Sequence, residues 1–134
     1  MTIGSCDILQ YAFCLNKKEN IVEVERRNIV GRAYYAVFHT AMDYVEFDLK
    51  IDLAESKMST HSKLFDALKN YSTSSPPLKS KLQALARELK KLHSHRVASD
   101  YNLGTTVTQS TVDLVLAEAN RLTKKISELQ ALAA

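Results

Sequence analysis

Tryptophan is absent from this 134-residue chain, and glycine, proline and cysteine are scarce, at three, two and two residues. So few glycines and prolines exclude collagen-like and low-complexity chains. Two cysteines do not make a disulfide framework. Cys6 and Cys14 fall eight residues apart on what reads as one helix, about 12 Å of rise, whereas a disulfide spans roughly 7 Å at most. They are expected to be reduced, buried thiols, without the further ligands nearby that a zinc site needs. No apolar run approaches the roughly 18 residues that cross a bilayer. The segment Met1–Cys14 also lacks the basic start, apolar centre and small-residue cleavage site of a signal peptide. A cytoplasmic protein with no membrane association is the expectation. Walker-type glycine loops, dinucleotide fingerprints, metal-spaced Cys/His clusters and serine-hydrolase elbows are likewise missing, so no cofactor or metal is expected and most conventional enzyme classes drop out.

What is present is a helix-rich globular composition, 46% hydrophobic and 25% charged. Residues 1–134 are enough for one domain with its own core. Ser5 or Asp7 can cap a first helix carrying Ile8, Leu9, Ala12, Phe13 and Leu15. A second helix starts between Ile21 and Glu25 and runs to about Phe47, since Val30, Ala33, Val37, Ala41, Tyr44 and Val45 recur at helical steps. Ser59 or Thr60 can cap a third helix with Leu64, Phe65 and Leu68. The segment Tyr71–Pro77 reads as a loop closing on a proline suited to a helix first turn. A fourth helix has a narrow seam of Leu78, Leu82, Leu85, Leu89 and Leu92, after which His93–Thr108 breaks the period. Thr108 can cap a last helix with Val112, Val115, Leu116, Ala119, Leu122, Ile126 and Leu129 on one face. The pattern predicts an all-α, up-and-down helical bundle of four to five helices.

The string Arg32-Ala33-Tyr34-Tyr35-Ala36-Val37-Phe38-His39-Thr40-Ala41 is the most specific in the chain. It resembles the second-helix signature of HEPN domains. Two further strings follow in that family's order. Thr60-His61-Ser62-Lys63-Leu64-Phe65 resembles its threonine-histidine third-helix opening, and Arg96-Val97-Ala98-Ser99-Asp100-Tyr101 resembles its arginine, alanine, Asp-Tyr segment. The resemblance covers roughly Ser5 to Leu129 and is closest to short stand-alone prokaryotic HEPN proteins, often encoded beside nucleotidyltransferases. It implies a HEPN-like bundle, homodimerisation, and a repertoire divided between metal-independent ribonucleases and binding modules, including toxin–antitoxin and phage-defence components.

HEPN ribonucleases resemble one another in an Arg-x(4–6)-His motif, with arginine steadying the charged transition state and histidine moving a proton. Arg96 stands at the family's arginine position, but no histidine follows it at that distance. Two other pairs meet the spacing: Arg32 with His39, six residues intervening, and Arg87 with His93, five intervening. Arg32 and His39 share one helix face and are the candidate catalytic pair; the alternative for Arg32 is an ion pair with Asp100 inside the bundle. Tyr35, Arg96, Asp100 and Tyr101 are the candidate binding residues. Tyr34 reads as a core residue with its hydroxyl reaching a partner, His61 as a first-turn residue bonded locally or exposed, and His93 and His95 as solvent-facing at a helix end.

Charge is unevenly placed: Lys79 to Arg96 carries six Lys/Arg against one acid, Glu88. Lys79, Lys81, Arg87, Lys90 and Lys91 are candidate phosphate-backbone contacts, read against a plain solvated lysine face. The expectation is a non-catalytic module that binds RNA, a nucleotide or a protein partner such as a nucleotidyltransferase. The alternatives are a metal-independent ribonuclease and a purely structural helical adaptor.

Overall fold

Side chains that satisfy the free N–H groups of a first turn decide where these helices begin. A computed structural model describes residues 3–54 and 57–133. It contains α1 (Ser5–Asn16), α2 (Glu23–Asp43), a π-helical turn continuing α2 over Tyr44–Asp48, α3 (Thr60–Lys69), α4 (Pro76–Tyr101) and α5 (Gln109–Ala133). There is no strand among the described residues. Asp7 and Glu25 reach back one turn to accept from the backbone N–H groups of Gly4 and Val22, at 2.8 and 3.2 Å. Ser59, Ser75 and Thr108 cap α3, α4 and α5 by accepting from Ser62, Leu78 and Thr111 N–H groups. Pro76 takes the first position of α4, where its missing N–H has no intrahelical acceptor to lose.

The long helix α2 sits at the centre, packed against α1, α4 and α5. Its composition explains the position: Ile29, Val30, Ala33, Tyr34, Ala36, Val37, Phe38 and Ala41 are all buried, so α2 is apolar over most of its circumference. The leucine seam of α4 and the Val112-to-Leu129 stripe of α5 close the core as expected from their spacing. At the end of α2 the helix widens. Leu49 N–H donates to Tyr44 O at 3.0 Å, which turns the neighbours Tyr44 and Val45 both inward.

Two sequence expectations need correction. Cys6 and Cys14 are exposed, not buried, because α1 turns only Leu9 and Ala12 fully inward and both thiols lie on its outer face. The fourth helix does not stop at His93 but continues through Tyr101. The leucine seam ends at Leu92, and what holds the extra turns is polar. Arg27 of α2 extends its guanidinium over the C-terminal end of α4, with Nη1 at 3.3, 2.8 and 3.1 Å from the carbonyl oxygens of Ala98, Ser99 and Asn102. Nη2 of Arg27 donates to Thr105 O, and Glu23 holds Nε at 2.8 Å. Next to it, Arg26 donates to Val107 O and Ile21 O at 2.7 and 2.9 Å. A cation over the last carbonyls of a helix satisfies acceptors that have no intrahelical donor and lies favourably in the helix dipole.

Replacing Arg27 by alanine is expected to lower folding stability by about 1–3 kcal/mol, the cost of taking a charged donor from the part-buried Ser99 carbonyl and from the exposed ones around it. Arg27→Lys is expected to recover only part of it, since a single ammonium does not span the same acceptors. Urea denaturation measures both; a variant within about 0.5 kcal/mol of the parent, the usual surface value, rules the clamp out.

Candidate functional site

The periodic burial of α4 does not end with its leucines. Positions His93, Arg96 and Ser99 continue the same inward face, so polar groups replace apolar ones where α4 passes α2 and the start of α3. Tyr34, fully buried on α2, shares a 2.7 Å hydrogen bond between its hydroxyl and Nδ1 of His61 at the start of α3. The rings of His61 and His93 lie 4.5 Å apart between centres, inclined by 32°. Phe38 packs on His61 at 4.7 Å, Phe65 on His93 at 5.7 Å, and Tyr34 on His93 at 5.4 Å. These separations are those of aromatic rings in direct contact.

Beside this cluster Arg96 is held from two sides. Its Nε lies 2.8 Å from Asp100 Oδ2, with an arginine side chain only 15% exposed. That N–H is not directed at the carboxylate, so the contact is an ion pair and not a hydrogen bond. Its Nη2 makes a long 3.4 Å bond to the Tyr35 hydroxyl, and the guanidinium carbon stands 5.4 Å from the Tyr35 ring centre. On the outward side Tyr35 stacks with His39 at 6.1 Å and 22°.

Burial sets the protonation of the inner groups. It pushes the Tyr34 phenol well up, against the pull of Arg96, so its hydroxyl stays protonated. The His61 imidazole is lowered by burial first and then by the neighbouring His93 and Arg96; His93 is lowered by burial and then by Arg96. Both are neutral at pH 7. The site therefore presents two uncharged imidazoles, which can accept protons, next to a fixed guanidinium, which attracts anions. No group of three His, Cys, Asp or Glu able to hold a metal occurs among the described residues.

The structure brings Tyr35, Arg96 and Asp100 together, as their candidate grouping required. Tyr101 is exposed on the outward face of α4, away from the cluster. Arg32 and His39 share a face of α2, both exposed. The ion pair considered for Arg32 is not formed: Asp100 pairs with Arg96 one turn away on its own helix, and the arginine of α2 that reaches the α4 terminus is Arg27. His93 and His61, read as surface or locally bonded histidines, are instead the packed centre of the cluster. The signal for His93 was its place beside Leu92 and four residues after Leu89, on the edge of the leucine seam; His61 was marked only by the string it opens, because its partner Tyr34 is distant in sequence. Lys79, Lys81, Arg87, Lys90 and Lys91 are all exposed, but they do not form one strip. Arg87 and Lys90 face the groove toward α3, whereas Lys91 and Lys81 line separate grooves against α5. The one acid of that stretch, Glu88, lies 3.2 Å from Arg121 of α5.

The chain matches no protein-family model, no curated protein and no solved structure.

Because folding depresses the affinity of His61 and His93 for protons, their contribution to stability is complete above the unfolded value of about 6.5. It is lost as pH falls through the lower native values. Urea midpoints of the parent are expected to drop between about pH 7 and pH 5, and the double variant His61→Gln/His93→Gln to show a flatter profile. Parallel profiles would mean that the two imidazoles do not carry this dependence.

Proposed function

We propose that the chain is a HEPN-like module that binds a ribonucleotide or a short RNA segment without cutting it, through the cluster around Tyr35, Arg96 and Asp100. The observation that carries this reading is convergence. The three strings that resemble the HEPN signature are far apart in sequence, yet Tyr34 and Tyr35 from the first, His61 from the second and Arg96 with Asp100 from the third meet at one place. Chemistry favours an anionic, aromatic ligand: a guanidinium for phosphate, and imidazole and phenol rings beside it. Arg32 and His39, the pair with ribonuclease-like spacing, stand on the exposed face of α2 with no bond to one another. The proposal carries with it the family's homodimeric habit and its association with nucleotidyltransferases in toxin–antitoxin or phage-defence settings.

A second reading has its own observation. His61 and His93 are neutral, in ring contact and next to Arg96, so one imidazole can take the proton of a 2′-hydroxyl as general base and then, protonated, give it to the leaving oxygen, without a metal.

One experiment separates the two. The purified chain is titrated with a 5′-mononucleotide and a short oligoribonucleotide at several salt concentrations, and the mixture is examined for cleavage in the presence of a chelator. Binding that weakens with salt and falls about tenfold in Arg96→Gln, with the RNA left whole, is the expected result. Metal-independent cleavage lost in His61→Ala or His93→Ala establishes the second reading in its place. Cleavage lost only in Arg32→Ala or His39→Ala assigns the chemistry to the outer pair.

A further inference from the structure

Helix α3 is short and held from few sides. It packs against α4 and the π-helical turn, and of its ten residues Leu64, Phe65 and Leu68 are the buried ones. Elements that bury so little apolar surface open at lower free energy than the core around them. The first turn of α3 is tied to α2 by His61, whose Nδ1 lies 2.7 Å from the Tyr34 hydroxyl. The His61 ring also lies 4.5 Å from that of His93 on α4 and 4.7 Å from that of Phe38 on α2. We propose that α3 is an acid-opened lid: when His61 and His93 take up protons, the helix lifts from α4 as a unit and uncovers Tyr34, Phe38 and His93, while the other helices stay packed. The inference goes beyond the binding function proposed above and holds or fails whatever binds there.

The tie between α3 and α2 requires a neutral imidazole. Tyr34 is fully buried, and its hydroxyl has no other hydrogen-bond partner among the described residues, so the phenol proton is donated to Nδ1 of His61. An imidazolium carries a proton on both ring nitrogens. Protonation of His61 therefore removes the acceptor of the Tyr34 hydroxyl and sets one donor against another in the interior.

Charge acts in the same direction. The groups that act on the two rings are Tyr34 from α2, Arg96 from α4, and the rings themselves, one from α3 and one from α4. None of them is an acid. Asp100 of α4 is engaged by Arg96, Glu46 and Asp48 of the π-helical turn act on neither ring, and neither histidine makes an ion pair among the described residues. An imidazolium formed here lies between Phe38 and Phe65, beside a guanidinium, with no carboxylate to offset it. Lifting α3 brings His61 into water, takes it away from Arg96, and lets water satisfy the Tyr34 hydroxyl. Histidine is the side chain whose charge changes in this pH range.

The test is hydrogen exchange of the full chain, read by mass spectrometry at about pH 7 and pH 5, corrected for the intrinsic effect of pH on exchange, with and without low urea. Protection of the Leu64 to Leu68 amides is expected to fall about tenfold at the lower pH, because groups whose affinity for protons is depressed in the closed form favour the open one as pH falls below the unfolded value of about 6.5. That exchange is expected to be insensitive to low urea, whereas the amides of α2 and α5 exchange more slowly and respond to it. In His61→Gln/His93→Gln the fall is expected to vanish; in His93→Gln alone, which keeps the Tyr34–His61 bond, it is expected to shrink several-fold. Amides of α3 that match those of α2 and α5 in protection and urea response at pH 5 show that α3 leaves only when the whole chain unfolds, and the lid is wrong. An undiminished fall in either variant that folds assigns the effect to other groups and overturns the proposal equally.

Discussion

The placement of the polar groups that α4 brings to the site depends on the arginine of α2 that holds the end of that helix. A helix whose apolar seam stops at Leu92 has little reason to continue for more than two further turns, because its last carbonyls find no intrahelical donors. Arg27 supplies donors to Ala98, Ser99, Asn102 and Thr105 together, and Glu23 fixes the guanidinium from behind while also accepting from Val107 N–H at 3.3 Å. These bonds keep His93, Arg96 and Asp100 helical and set their height along α2. Gly31 faces the same approach, but a Cβ there would stand at an ordinary contact distance of 3.9 Å from Asp100 Oδ1, so the packing does not require glycine.

Electrostatics at the site is arranged by burial more than by pairing. Exposed ion pairs such as Lys18–Glu25, at 2.7 Å, are screened by water and contribute little. Arg96 differs because it is largely shielded from water, so its field reaches the two imidazoles and helps to keep them neutral. Asp100 offsets part of that charge and holds the guanidinium beside Tyr35. The guanidinium is therefore held in one orientation, with little side-chain freedom left to lose.

Local signals in the sequence carried most of the fold. Ser59, Ser75 with Pro76, and Thr108 mark helix starts through bonds made within one turn, and the leucine steps of α4 and the valine-to-leucine stripe of α5 depend only on helical period. Interactions between distant segments were not legible in the same way. Nothing near Arg27 marks it as a cap for a helix more than 70 residues away. The pairing of Asp100 with Arg96 in place of Arg32 turns on which face of α2 meets α4, a property of packing and not of spacing. Cys6 and Cys14 were misjudged because cysteine is usually buried, while α1 has only a narrow inner edge. The proximity of Tyr35, Arg96 and Asp100 could be anticipated from motif order; the imidazole pair required knowing that α3 lays His61 against α4.

The widened turn at the end of α2 bears on how the chain tolerates change in length. Over Tyr44–Asp48 each hydrogen bond spans one residue more than in an α-helix, and the chain leaves that turn with Leu49, Ile51 and Leu53 directed toward the core. A π-turn holds one residue more than the α-helical turn it replaces, so loss of a single residue there would give back ordinary α-helical geometry with the segments on either side keeping their facing. At this point of the chain residue number is therefore less tightly constrained than in the regular turns of α2, where a one-residue change would turn every later helical side chain by about 100°.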